Sequence, residues 1–174
     1  MFLATLPSTS KKTIATLSAL PSGVAGVRAT LNQMRALVRD SKKNMNVRGL
    51  AMRLTGNLQQ KNFLGEIKSL HRFVRDNIRY LRDITDVETL QTPEKTIEFG
   101  QGDCDDKSTL LAALLESIGH PSRFVAIGKA PGKFTHVYVE TLFGNRQWLP
   151  LETTEPVEAG WAPKNIRARM IVHN

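Results

Sequence analysis

The sequence predicts an α+β fold in which helices precede an antiparallel sheet, and three observations carry that expectation. Apolar residues step by three or four through Phe63, Ile67, Leu70, Val74, Ile78 and Leu81. A second helical run, largely apolar from Leu110 onward, follows over residues 104–118. Beyond Pro121 the period falls to two, as in strands whose alternate residues point to opposite faces. Helices gathered ahead of a meander give α+β, whereas a parallel sheet would need alternating strands and helices.

In chain order, residues 1–30 mix Thr, Ser, Pro and Gly with scattered apolar residues and keep no period, so they read as an arm. Leu31, Met34, Leu37 and Val38 then take helical spacing, and Val47, Leu50, Ala51 and Leu54 resume it before Gly56. One long helix, or two broken near Asn44, fits. The amphipathic helix over residues 63–81 carries Lys, Arg and Asp between its apolar positions and should pack on the core. Residues 83–92 are polar and turn-like. Pro93 opens a short helix over 94–99, because the first turn of a helix leaves its N–H groups unpaired anyway. Gly100 and Gly102 break the chain before the apolar helix, which stops at Gly119 and Pro121. Residues 123–127, 134–142 and 147–151 read as strands, with Gly144-Asn145 as a hairpin turn. After a loop over 156–164, residues 167–172 offer another strand, and no internal repeat is visible.

The 174 residues suffice for one ordinary domain with a buried core. The formal charge of +8 is unevenly spread: residues 1–56 hold nine Lys or Arg against one acid, Asp40, and the remainder is neutral. Residues 1–56 therefore read as a basic, partly helical N-terminal extension and 57–174 as the main domain. Arg35, Arg39, Lys42, Lys43, Arg48 and Arg53 line the other face of the early helix. Such a run is a solvated face or a docking surface for an anionic partner, nucleic acid or acidic protein; no aromatic residues are interleaved for base stacking. No stretch approaches the roughly 20 apolar residues of a membrane-spanning helix, so integral membrane association is not expected. Lys11 and Lys12 precede an apolar stretch in the manner of a secretory leader, but Thr, Ser and Pro interrupt it. A cytoplasmic location is expected, or a virion-associated one if the chain is phage-encoded. Oligomeric state is not legible.

The single cysteine excludes an intramolecular disulfide and a multi-thiolate zinc site. Gly102-Asp103-Cys104 meets the buried helix where a glycine-rich break ends, which puts Cys104 at or within one residue of the helix N-terminus. Unpaired N–H groups and the positive end of the dipole favour a thiolate there, the nucleophilic form. Of four histidines, His71 lies on a helix, His120 beside a helix stop and His173 at the chain end, each with a ready structural use. His136 instead sits within a strand whose alternation groups it with Tyr138 and Glu140, away from Val137 and Val139. Across the Gly144-Asn145 turn the returning strand brings Glu152 beside it. A carboxylate on one imidazole nitrogen fixes the tautomer and leaves the other nitrogen to take the thiol proton. Asp106, Glu140 or Glu155 could serve as the orienting acid instead.

These residues resemble the transglutaminase-like superfamily of papain-like fold, over roughly residues 62–155. The likeness runs through Ile78-Arg79-Tyr80, Thr92-Pro93-Glu94, Gly102-Asp103-Cys104-Asp105-Asp106, Arg123-Phe124-Val125, Thr135-His136-Val137-Tyr138-Val139 and Trp148-Leu149-Pro150-Leu151-Glu152. The resemblance implies a catalytic helix packed on an antiparallel sheet, with Cys104 as nucleophile, His136 as base and Glu152 in the acid's position. That position usually holds Asp, one methylene shorter. It further implies attack of a thiolate on an amide carbonyl and a thioester resolved by water or an amine. The small size favours a bacterial or phage thiol hydrolase, a cysteine peptidase or amidase acting on a protein or peptide without a cofactor. Protein-glutamine cross-linking and a catalytically silent binding or assembly module are the alternatives. A metal site of Asp103, Asp105, Asp106 and His136, with or without Cys104, lacks the spacing and glycine turn of a calcium loop, so no metal is expected.

Overall fold

The computed structural model describes residues 23–82 and 90–174. The leader-like stretch and most of the turn expected over 83–92 lie outside the described residues. Helical spacing resolves into α1 (Gly23–Ser41), α2 (Met45–Thr55), α3 (Phe63–Asn77), then, past the two-residue strand β1 (Arg79–Tyr80), α4 (Pro93–Phe99). A second short strand, β2 (Gln101–Gly102), leads into α5 (Cys104–Ser117). The strands β3 (Ser122–Gly128), β4 (His136–Phe143), β5 (Gln147–Leu151) and β6 (Ala168–His173) complete the order.

Local chemistry accounts for the helix bounds. Asn44 separates α1 from α2 by accepting the Asn46 amide at 2.8 Å, an N-cap at the expected break. Thr92 caps α4 ahead of Pro93, and Gly100 ends it in the left-handed region at φ 62°. Two helix bounds differ from the sequence expectation by several residues, and the strand expected from 134 begins at His136. Residues 23–30 belong to α1 and not to an arm, because Val27 packs on the core. Helix α3 stops at Asn77, four residues early: Ile78 turns extended, and β1 pairs parallel to β2, Arg79 with Gln101 and Tyr80 with Gly102.

The four longer strands form one antiparallel sheet in the order β5-β4-β3-β6. Its inner face carries Phe124, Ala126, Val137, Val139, Leu151, Met170 and Val172 into a cluster shared with α5. Val125, Ile127 and Tyr138 make a smaller cluster on the other face, as strand alternation requires. Helix α5 packs between this sheet and α1–α4, so every residue from 106 to 115 is buried. A helix with no wet face must be apolar or internally satisfied, and α5 is both. Leu31, Met34, Val38, Val47 and Ala51 join the same cluster. From residue 23 onward, then, the segment read as an extension contributes to the main core, while Arg28, Arg35, Arg39, Lys43, Arg48 and Arg53 stay exposed.

Lys107 is the largest fully buried side chain, 1% exposed. Its ammonium donates to the Ile78 carbonyl at 2.6 Å and the Arg75 carbonyl at 3.4 Å. The last carbonyls of a helix have no intrahelical donor, so Lys107 closes the end of α3 from α5. Burial pulls its pKa down to about 8, against the opposing pull of the Glu152 and Asp76 charges. Between about 8 and the ordinary 10.5 the unfolded chain therefore binds more protons than the folded one, and stability rises with pH. The unfolding free energy of the parent minus that of Lys107→Met should climb by about 3 kcal/mol across that window. Denaturant titrations at stepped pH check this, and a flat or falling difference contradicts it.

Candidate active site

The start of α5 is built by a reciprocal cap. Asp103 accepts the amides of Asp105 and Asp106 at 2.9 and 3.1 Å, and the Asp106 carboxylate accepts the Asp103 amide at 3.4 Å. Gly102 is required beside it, since a Cβ there would lie 2.6 Å from the Asp106 Cβ. The second Asp106 oxygen takes the Gln91 amide at 2.7 Å and ties the segment before α4 to the same corner. Cys104 is thereby fixed as the first residue of α5.

Its sulfur lies 3.4 Å from Asp105 Oδ1, as donor, and receives a backbone hydrogen bond from Val137. Burial, then the charges of Asp105 and Asp103, push the thiol well above its ordinary pKa, and the Val137 bond only partly offsets them. The standing thiolate expected from a helix start is thus overridden. Burial first, and then the two adjacent carboxylates, favour the neutral thiol.

The pairing of β5 with β4 runs from Phe143–Gln147 to Val139–Leu151. The main chain at the start of β4 is left unpaired by β5, and α5 docks there. Ser108 Oγ donates to the Val137 carbonyl at 3.3 Å, while the Val137 backbone reaches Cys104. Helix and strand are stitched together one residue from His136. Glu152 is the first residue past β5, and its Oε2 lies 2.6 Å from His136 Nε2. Its Oε1 accepts both the Thr154 amide and the Thr154 hydroxyl at 2.7 Å. Burial acts to raise this carboxyl, which is 1% exposed, yet the His136 and Thr154 bonds prevail and hold it below its ordinary pKa. With Nε2 on the carboxylate, Nδ1 is the ring nitrogen left for another partner.

The other acids weighed from sequence have different partners. Glu140 is clamped by Arg123 at 2.7 Å, Arg169 at 2.8 Å and the Tyr138 hydroxyl at 3.2 Å, with Arg123 stacked on Trp148. Asp106 belongs to the helix cap, and Glu155 is exposed. Glu152 is the acid that meets His136, and Thr154 steadies its extra methylene. His120 pairs with Glu66 at 2.7 Å, and His173 stands edge-on to Trp148. His71 lies on its helix, α3, with a structural contact whose partner the sequence did not specify. Fully buried, it places Nε2 2.5 Å from the Glu152 main-chain carbonyl. Its signal in the sequence was an ionisable residue on the core face of α3, beside Leu70 and Val74. Among the described residues, Asp103, Cys104 and Asp105 are the group whose ligand atoms converge, within 4.8 Å. The Asp103 oxygen is engaged in the cap, and His136 is not a member, so the four-residue metal set does not assemble.

A family model described as the transglutaminase-like superfamily matches residues 48–153, more than half of the chain and all of Cys104, His136 and Glu152. The chain belongs to the transglutaminase-like superfamily. The superfamily match begins inside α2, ahead of the boundary expected at residue 56. Among solved structures, one is similar at a TM-score of 0.60 and 14% identity, from a protein of Parabacteroides distasonis provisionally assigned as a protease. It matches 87% of this chain and 32% of its own. Another, from Cytophaga hutchinsonii and provisionally assigned as a cysteine protease, has a TM-score of 0.51 and 19% identity over 74% of this chain and 46% of its own. This chain therefore spans less than half the length of either, and the likeness at these identities is one of fold. No curated protein matches it. No helix among the described residues is long and apolar enough to cross a membrane.

Because Asp105 is the largest charge holding the thiol protonated, Asp105→Asn should accelerate alkylation of Cys104 by iodoacetamide at pH 8. Rates equal to or below the parent's would show that the carboxylate does not govern the sulfur.

Proposed function

We propose that this chain is a thiol-dependent amide hydrolase, a cysteine peptidase or amidase, using Cys104 as nucleophile, His136 as general base and Glu152 as the group that orients the base. The observation that carries this reading is the 2.6 Å contact of His136 Nε2 with Glu152, on a strand whose next residue bonds the Cys104 sulfur. Membership of the superfamily supports it, as do the protease assignments of the two structural neighbours.

Burial and the neighbouring carboxylates favour the neutral thiol, so the reaction begins with a proton transfer. His136 Nδ1 takes the Cys104 proton as the sulfur attacks an amide carbonyl; a C–S bond forms and the carbonyl electrons move to oxygen. The Cys104 amide, at the first helical position, is one of the donors that a helix leaves without an internal acceptor, and it is suited to that oxyanion. Collapse breaks the C–N bond, and the amine departs with the proton from His136. Water then gives its proton to His136 and attacks the thioester, releasing acid and regenerating the thiol. The buried carboxylate of Glu152 stabilises the imidazolium present between these steps.

A mixed peptide digest, read by mass spectrometry with and without cadaverine, tests the reading. Products that gain one water, with turnover reduced on the order of 10³-fold or more in Cys104→Ala and His136→Ala, are expected. Cadaverine incorporated in place of water would make the chain an acyltransferase. Turnover that survives in Cys104→Ala, or none above background in the parent, would overturn thiol catalysis and leave a binding module.

A further inference from the structure

We propose that His71 is a positioning residue for the Glu152–His136 pair, holding the acid from behind through its main chain. The inference rests on the catalytic reading given above. His71 is 0% exposed, and its Nε2 lies 2.5 Å from the Glu152 carbonyl, 81 positions away in sequence. A carbonyl oxygen only accepts, so Nε2 carries the proton and Nδ1 does not. Nδ1 is buried and, among the described residues, has no hydrogen-bond partner. Burial lowers the pKa of His71, with the Glu152 carbonyl bond opposing, so the ring is neutral. The charges that act on it are Arg75 on its own helix, and Glu158 and Glu152 from the chain beyond β5.

Packing alone does not explain an imidazole here. Its neighbours on the core face of α3 are Ile67, Leu70 and Val74, and an aliphatic side chain would fill the space without stranding Nδ1. What the imidazole adds is one directed N–H to the one carbonyl that belongs to the acid. Glu152 needs that hold, because β5 has stopped pairing at Leu151 and no ladder bond to β4 fixes the next residue. Thr154 secures one carboxylate oxygen and His71 the main chain, which leaves Oε2 aimed at His136. A longer acid with more rotamers than aspartate has more positions to be excluded from.

The test compares the parent, His71→Leu, His71→Gln and Glu152→Gln. Glutamine presents an amide N–H near the position of imidazole Nε2, and leucine presents none. The first readout does not need turnover: the downfield proton resonance of the His136–Glu152 hydrogen bond should be present in the parent and His71→Gln, and lost or moved upfield in His71→Leu. The second is turnover, expected to fall about 10- to 100-fold in His71→Leu, to recover in His71→Gln, and to fall no further when His71→Leu is added to Glu152→Gln. A folded His71→Leu with an unchanged resonance, or losses that simply add to those of Glu152→Gln, would overturn the proposal. If leucine does not fold, His71→Phe, which also presents no donor, takes its place: an unchanged resonance there has the same force. Turnover that persists in Cys104→Ala would instead sink the catalytic reading and leave the resonance result standing on its own.

Discussion

A charged carboxylate that is 1% exposed is the constraint around which this fold is arranged. Taking such a group out of water costs several kcal/mol unless bonds and opposite charge replace the lost hydration. At Glu152 the replacements come from separate parts of the chain. Thr154 supplies two donors, His136 supplies a third from β4, and the buried ammonium of Lys107 contributes its field from α5. His71 adds the main-chain anchor from α3. While it is buried, the acid keeps its charge through groups from β4, α5 and the chain just past β5, and the contact with His136 is one of those that keep it charged.

Helix α5 supplies the opposite member of the site by a contrasting route. It is buried along most of its length, yet Asp103 and Asp106 form the reciprocal cap at its start and Asp105 stands beside the sulfur. Burial and the charges of Asp105 and Asp103 raise the thiol, while the Asp103–Asp106 cap fixes its position. Structure and reactivity are in tension at Cys104: the residues that build the helix start oppose the thiolate that a bare helix start would favour. The chemistry is consistent with this if the base removes the proton during attack, so the imidazole and its acid become indispensable to the reaction.

Much of the architecture could be read from the residues. The change of period at Pro121 separated helices from sheet, and the apolar residues Leu110 to Leu115 marked the central helix, because burial on all sides favours apolar side chains there. The alternation of His136, Tyr138 and Glu140 against Val137 and Val139 agrees with the two clusters on the faces of the sheet. The start of α1 was missed, since Gly23, Gly26 and Thr30 mask a helix held mainly by tertiary packing. The end of α3 was misjudged because Leu81 happens to continue a helical period into a strand pairing set by distant Gln101 and Gly102. The raised thiol was not legible either. The charges of Asp103 and Asp105 were visible, but the burial that lets them dominate is a property of the folded core. The role of His71 depends on a carbonyl 81 residues away, which no local pattern encodes.

The most direct test of the account is the tautomer of His136, read from the ¹⁵N shifts of the ring nitrogens in selectively labelled protein at neutral pH. A proton on Nε2, facing Glu152, with a free lone pair on Nδ1, is the state the hydrogen bond dictates. A proton resident on Nδ1 would mean that the base has no lone pair to offer the thiol, and the arrangement described for Cys104, His136 and Glu152 would not be a catalytic one.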